Sequence, residues 1–183
     1  MSKYLRLRDE LENYRLQEAS LALLFHSFCP ENDKIEHVLL KVSALNDFYS
    51  TNIFDTYSVA KHILSKQIDA RLKAIDYSLV NEIAMISLKG KPRNFYSFAS
   101  KYCSHHKPDR YPIYDSYVEK MLTHYEAEDK FGGFDKAELK SYERFIQIIE
   151  KFRLFYGLEK YSLREIDNFL WLAGKEWFPR NYK

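Results

Sequence analysis

Asp115 is the side chain whose placement in this sequence best suits it for chemistry. Pro112 fixes the approach to it, and Ser116 to Tyr125 read as a helix that Asp115 opens. An N-cap aspartate accepts backbone N–H bonds and meets the positive end of the helix dipole. Both effects keep the carboxylate ionised. A fixed anion beside a cationic loop can stabilise a developing cation or take up a proton. The plain alternative is a cap that does nothing more. Two other constellations carry less. Cys103-Ser104-His105-His106 offers soft ligands, but a structural zinc takes four, usually in paired spacing, and no second pair lies nearby. No metal is expected, and His105 and His106 are read as meeting phosphate or solvent. Asp167 stands three residues after Arg164, which reads as an ordinary surface pair.

The elements that must position Asp115 run from Gly90 to Val118. Lys91-Pro92 breaks what precedes it, and Asn94 suits an N-cap. Phe95, Phe98, Ala99 and Tyr102 repeat at helical spacing and predict one buried stripe. Ser97, Ser100, Lys101 and Ser104 fall off that stripe. A polar loop from His105 to Arg110 follows, broken by Pro108.

Elsewhere the periodicity predicts helices. Residues 5–26 carry Leu7, Leu11, Tyr14 and Ala22 to Leu24, and Cys29-Pro30 ends them. Further helices are expected over Lys34–Phe48, Phe54–Ser65, a short Asp69–Ile75 and Tyr77–Ser87. A long one is expected over Asp135–Tyr156, with Gly157 as its C′ residue. Ser162 to Glu165 forms a capping box for the last, which carries Ile166, Phe169, Leu170 and Leu172 and stops at Pro179. The fold class is all-α, about eight helices, with no convincing strand. Residues 1–183 read as a single helical domain, or as two small lobes with a cleft between them.

The composition agrees, since only five glycines and five prolines occur in 183 residues. The net charge of +2 is nearly neutral, but Lys89 to Arg110 carries six cations against Asp109 alone. That local +5 leaves −3 for the remainder and suits a phosphate-bearing partner. Two cysteines make no disulfide framework, and no segment has the apolar length of a signal peptide or a membrane span. A cytoplasmic monomer with no membrane contact is expected.

Phe95 to Val118, with its Pro112-Ile113-Tyr114-Asp115-Ser116 turn, resembles the second half of the helix-hairpin-helix DNA glycosylases. The branch with the 8-oxoguanine glycosylase fold is the nearest likeness. There a Val-Pro-Val-Asp-like turn carries an essential aspartate, and Asp115 stands in its place. Phe48 to Ile63 is similar to the helix-break-helix that pushes a polar side chain into the duplex, which makes Asn52 the wedge, beside Tyr49 and Phe54. The hairpin departs from the family's Leu-Pro-Gly-Val-Gly: Leu88-Lys89-Gly90-Lys91-Pro92 keeps one glycine, and Lys89, Lys91 and Arg93 would compensate electrostatically. The position of the bifunctional members' lysine holds Asn94, Phe95 and Tyr96. Lys101 is the replacement considered, Lys91 its rival, and a monofunctional enzyme using Asp115 alone the third reading.

The resemblance implies a DNA N-glycosylase that flips a damaged or modified base out of a duplex, with AP lyase activity if a lysine attacks. Trp171, Tyr102 and Phe98 are available to line a base pocket, although aromatics at this spacing also build cores. No cofactor is implied. The alternatives are a non-catalytic nucleic-acid-binding helical domain that keeps the fold, or a helical protein with no nucleic-acid partner.

Overall fold

The structure, a computed structural model, describes residues 2–179, and side chains from residue 12 onward. The chain is mostly helical and divides into two compact units, Met1–Asp69 and Ala70–Lys183. Nine α-helices lie among the described residues, close to the expected number.

The first unit begins with α1, Ser2–Leu23, which runs into a π-helical turn, Leu24–Phe28. Cys29 closes that turn by donating to the Leu24 carbonyl, so the expected stop is where the sequence puts it. Leu21 and Phe25 are the buried positions, while Ala22 and Leu23 are exposed. The side chains of Leu7 and Leu11 lie outside the described ones. Helix α2, Ile35–Phe48, buries Val38, Val42 and Leu45 as the spacing predicts. Helix α3, Thr56–Leu64, is capped by Asp55, which accepts from the Ser58 N–H at 3.0 Å. It packs against α2. Helix α4, Ile68–Lys73, follows.

Lys41 is on the buried face of α2 and fully enclosed. Its Nζ donates to Asn32 Oδ1 at 2.7 Å and to the Glu31 carbonyl at 2.9 Å. Asn32 is held in turn by Asp69, which accepts from its backbone N–H at 2.8 Å. Burial pulls the Lys41 ammonium down to about 8, against the opposing pull of Asp69, Cys29 and Asp33.

The second unit differs from expectation in two elements. Helix α5, Ser78–Ala84, stops early, and Met85–Leu88 (β1) pairs antiparallel with Lys91–Asn94 (β2). Leu79, Ile83, Ala84 and Ile86 fit a helix, but so short an apolar run cannot exclude a strand. Lys89 and Gly90 decide it. Both have positive φ, +50° and +74°, as a two-residue hairpin turn demands. Leu88 pairs with Lys91, so Ser87 and Pro92 fall at a non-hydrogen-bonded pair. Pro92 therefore forfeits no ladder bond and leaves the outer edge without a donor.

The long helix expected over 135–156 is also divided, into a 3-10 turn, Lys136–Lys140, and α8, Tyr142–Phe155. Ser141 between them is extended. Asn81 on α5 staples the break, donating to the Lys140 carbonyl and accepting from the Tyr142 N–H. Gly157, at φ +64°, closes α8 with the bonds of a Schellman motif, Leu158 N–H to Arg153 and Gly157 N–H to Leu154.

Helix α6, Tyr96–His106, starts after Phe95, not Asn94, which ends β2. It is enclosed on nearly every side: Phe98 to His105 are all buried. Of the residues off the apolar stripe, Ser100, Lys101 and Ser104 are buried and Ser97 is half-buried, with Tyr114 and Asp115 reaching Ser100 and Lys101. Helix α7, Ser116–Asp129, packs on α9, Leu163–Trp177. A side chain at Gly174 would meet Tyr117 Cβ at 2.7 Å, so glycine permits that close approach. The Ser162 capping box is present. Ile166 and Leu170 face inward, but Phe169 and Leu172 are exposed.

Lys41 yields a pH test. Its folded-state value lies below the unfolded one, so the unfolded chain binds more protons between about 8 and 10.5. Stability should climb with pH across that window, by at most about 1.4 kcal/mol per pH unit, relative to Lys41→Met. Paired urea titrations at several pH values measure this. Parallel pH profiles for the two proteins would contradict it.

Candidate functional site

The site is built around residues 111–115, an irregular segment between α6 and α7. Such a segment keeps its backbone polar groups, and burial demands partners for them. Side chains from three helices supply these. Tyr142 on α8 donates its hydroxyl to the Pro112 carbonyl at 2.7 Å. The Ile113 N–H donates to Asp167 Oδ2 on α9 at 2.9 Å. The Tyr114 N–H donates to Ser100 Oγ on α6 at 3.0 Å. Asp115 then emerges in extended conformation and caps α7, accepting from the Tyr117 N–H at 2.9 Å. The N-cap reading of Asp115 is therefore correct.

Lys101 comes to the same place from α6. Its Nζ lies 3.5 Å from Asp115 Oδ2 and donates to Ser97 Oγ at 2.6 Å. The Lys101 side chain is 5% exposed and that of Asp115 21%. The carboxylate thus reaches solvent and the amine stays behind it. Burial lowers the Lys101 pKa; Asp115, and more weakly Asp167, pull it back up, and Arg164 adds to the lowering. A buried amine loses its proton more readily than an exposed lysine, and an ionised carboxylate beside it can answer positive charge on a bound group.

Asp167 is not the surface residue expected. It is buried, with Arg164 Nη1 3.4 Å from its other oxygen. Glu119 stands one turn beyond Asp115 on α7. Burial alone would raise its carboxyl, but bonds from Lys140, Tyr114 and Lys136 hold it at about 2. Lys140 reaches it at 2.7 Å and Lys136 at 3.0 Å. Tyr114 places its hydroxyl between Glu119 and Lys140.

The other sequence candidates separate. Lys89, Gly90, Lys91 and Arg93 are exposed on the β-hairpin, which replaces the helix-flanked glycine loop expected there. Lys91 is thus a surface cation, and Lys101 is the lysine beside Asp115. His105 is buried near the end of α6, which removes it from phosphate contact. His106 is half-buried with its ring 5.4 Å from that of Tyr102. Tyr102 and Phe98 are core residues, not pocket walls. Trp171 is half-buried, and Lys175 Nζ lies 4.3 Å from its ring centre.

Asn52 and Tyr49 belong to the first unit. Tyr49 is tied to α1, donating its hydroxyl to Glu18 at 2.8 Å. Asn46 grips the loop beyond: its Oδ1 accepts from the Ile53 N–H and the Thr51 hydroxyl, both at 2.8 Å. Asn52 is exposed in left-handed conformation, φ +57°, and Phe54 beside it is 97% exposed.

Ser97, Ser100 and Asp167 are the residues that sequence reasoning missed. A signal existed for two of them. Ser97 precedes Lys101 by four, the spacing of helical neighbours. Asp167 interrupts the apolar stripe Leu163, Ile166, Leu170, Gly174, which is where a charge calls for an internal partner.

Residues 1–110 match the family HI_0787_N, described as an N-terminal domain. That span holds the hairpin and Lys101 and ends before Asp115. An uncharacterized protein of Haemophilus influenzae is 47% identical over 148 residues, covering 80% of this chain and 71% of the relative. No solved structure matches. No helix among the described residues is long and apolar enough to cross a membrane.

Asp167→Ala would strand the buried Ile113 N–H. It should cost about 1–3 kcal/mol in urea unfolding followed by the fluorescence of Trp171 and Trp177, both in the second unit. An unchanged midpoint would show that the bond to Asp167 is dispensable.

Proposed function

We propose that this chain, which belongs to the HI_0787_N family, is a DNA glycosylase that extrudes a damaged or modified base and cleaves it from its sugar. Lys101 serves as a nucleophile that gives the enzyme AP lyase activity. The observation that carries this reading is the Lys101–Asp115 pair: a buried amine 3.5 Å from a partly exposed carboxylate at a helix start. The overall helical architecture is compatible with a helix-hairpin-helix glycosylase-like fold in which a β-hairpin takes the place of the usual loop.

The chemistry follows from those two groups. Breaking the bond between base and sugar leaves positive charge on the sugar ring, and the base departs with the bonding electrons and gains a proton. Asp115, ionised and partly exposed, stabilises that charge. The neutral Lys101 amine attacks the anomeric carbon; the nitrogen then sheds a proton as the ring oxygen leaves, forming a Schiff base. Loss of a C2′ proton to solvent then forms the C2′–C3′ double bond as the 3′ phosphate leaves with the C–O electrons, which cuts the strand. Extruding the nucleotide costs a few kcal/mol. Lys89, Lys91 and Arg93 would meet backbone phosphates through their side chains.

The second reading is a nucleic-acid-binding domain without chemistry. One observation favours it: Lys101 and Asp115 already satisfy each other as an ion pair, which by itself stabilises the turn. Duplexes bearing a panel of lesions, followed by alkali, separate the two. The enzyme should leave alkali-labile sites with at least one lesion, and Asp115→Asn should slow it by about 10²–10³-fold while leaving DNA affinity within a few-fold. A folded protein that makes no such sites with any lesion, and binds DNA unaffected by Asp115→Asn, is the binding domain.

The hairpin makes a separate prediction. The triple variant Lys89→Ala, Lys91→Ala, Arg93→Ala should flatten the dependence of log affinity on log salt by about 0.9 for each phosphate that the three cations neutralise. An unchanged slope would remove the hairpin from the interface.

A further inference from the structure

Glu119 follows Asp115 by four residues on α7, so the two carboxylates share a face of the helix, about 6 Å apart along its axis. Two lysines converge on Glu119 from the 3-10 turn. Lys136 Nζ lies 3.0 Å from one carboxylate oxygen and Lys140 Nζ 2.7 Å from the other. Glu119 is buried, whereas the side chains of Lys136 and Lys140 are 60% and 57% exposed. Two cations on one anion leave a single positive charge, presented to solvent one helical turn from Asp115.

One cation is enough to neutralise a buried carboxylate, and Lys140 supplies it. Its ammonium also donates to the Tyr114 hydroxyl and lies 4.6 Å from the centre of that ring. Lys136 is the surplus. Two exposed lysines ordinarily repel each other and spread over many rotamers. Here one anion gathers both ammonium groups, so an incoming ligand need not order them. Bonds from both lysines and from Tyr114 hold the Glu119 carboxyl at about 2, so the anchor stays ionised near neutral pH. The turn is itself fixed. The Leu139 carbonyl accepts from Tyr96 at the start of α6, and the Lys140 carbonyl from Asn81 on α5. Helix α5 leads into the β-hairpin and α6 leads out of it, so the lysine pair links the base of the hairpin to the head of α7.

We propose that Lys136 and Lys140 are a phosphate site for a nucleic-acid strand, holding the backbone beside the nucleotide whose sugar meets Asp115. This rests on the reading of Asp115 as the residue that faces that sugar. A phosphodiester fits on two counts. Its one negative charge matches the one surplus positive charge, and each of its two anionic oxygens can take an ammonium group. A free phosphate or a monoester carries nearly twice that charge and is matched less well.

The test measures binding of the full chain to a duplex that carries a tetrahydrofuran abasic analogue, by fluorescence anisotropy. That duplex has no base to excise, so the measurement does not depend on catalysis. Lys136→Gln leaves Lys140 on Glu119. It should weaken binding several-fold and flatten the slope of log affinity against log salt by about 0.9, the share of one phosphate. Lys136→Arg should recover both, and Lys130→Gln, at the far end of α7, should change neither. The phosphates flanking the analogue are then replaced one at a time by neutral methylphosphonates. At one position the replacement should cost the wild type several-fold and Lys136→Gln nothing further. Additive losses at every position, equal losses in Lys136→Gln and Lys130→Gln, or no binding of DNA overturn the proposal. Broadening of the phosphorus NMR signal of inorganic phosphate tests the other source of the same chemistry. Broadening that Lys136→Gln abolishes, with duplex binding unchanged, assigns the pair to free phosphate and overturns the strand site. Coupling to one methylphosphonate in a protein that leaves no alkali-labile sites means that the phosphate site stands and the glycosylase reading falls.

Discussion

Two backbone N–H groups hold the segment before α7 in place. Ile113 and Tyr114 precede α7 in a buried segment with no regular structure, so neither can find a ladder or helix partner. Asp167 takes one and Ser100 the other. An unpaired buried N–H costs about 1–3 kcal/mol, so the segment cannot slide by a residue without losing both. The position of Asp115 follows directly. Behind it stands Gly174, whose missing side chain lets α9 approach α7 closely enough for Asp167 to reach the turn.

Charge is then distributed around that turn in matched sets. Glu119 is answered by Lys136 and Lys140. Asp167 is answered by Arg164 and the Ile113 N–H. Asp115 faces Lys101. In an interior of low effective dielectric each unmatched charge would act over a long range. Matching Glu119 and Asp167 with their own partners leaves Asp115 as the nearest anion to the buried amine. Burial outweighs the pull of Asp115 and Asp167, and the amine ends below its ordinary range. The tyrosines serve the same frame. Tyr96, Tyr111 and Tyr142 bury their rings and send their hydroxyls to the carbonyls of Leu139, Asp76 and Pro112. That satisfies those carbonyls and gives a physical use to three of the chain's fifteen tyrosines.

Much of this was legible in the sequence, and what was not has identifiable causes. The cap at Asp115, the capping box at Ser162 and the stop at Gly157 are local events, decided by a few neighbouring residues. Helix α2 was equally plain because its apolar spacing has no competing reading. The hairpin was missed because Met85 to Leu88 fits both periods, and only the left-handed turn at Lys89-Gly90 settles the matter. The break at Ser141 was missed because its cause, Asn81, lies 60 residues earlier in the chain. The burial of Lys101 was not legible, because periodicity places it off the apolar stripe and cannot see a loop folding across a helix. Asp167 was assigned to the surface by the same default, although the apolar residues around it argued otherwise.

The proposed chemistry stands or falls on the state of one amine. Heteronuclear NMR of the free protein, with the Lys101 side-chain resonances assigned and followed from pH 6 to 11, measures that directly. A nucleophilic Lys101 requires a titration midpoint below the ordinary lysine value of about 10.4, and a still lower one in Asp115→Asn, where the nearest carboxylate charge is gone. A midpoint at or above the ordinary value, unmoved by Asp115→Asn, would contradict it: Lys101 would then be a structural ammonium, and Asp115 only the cap of a helix.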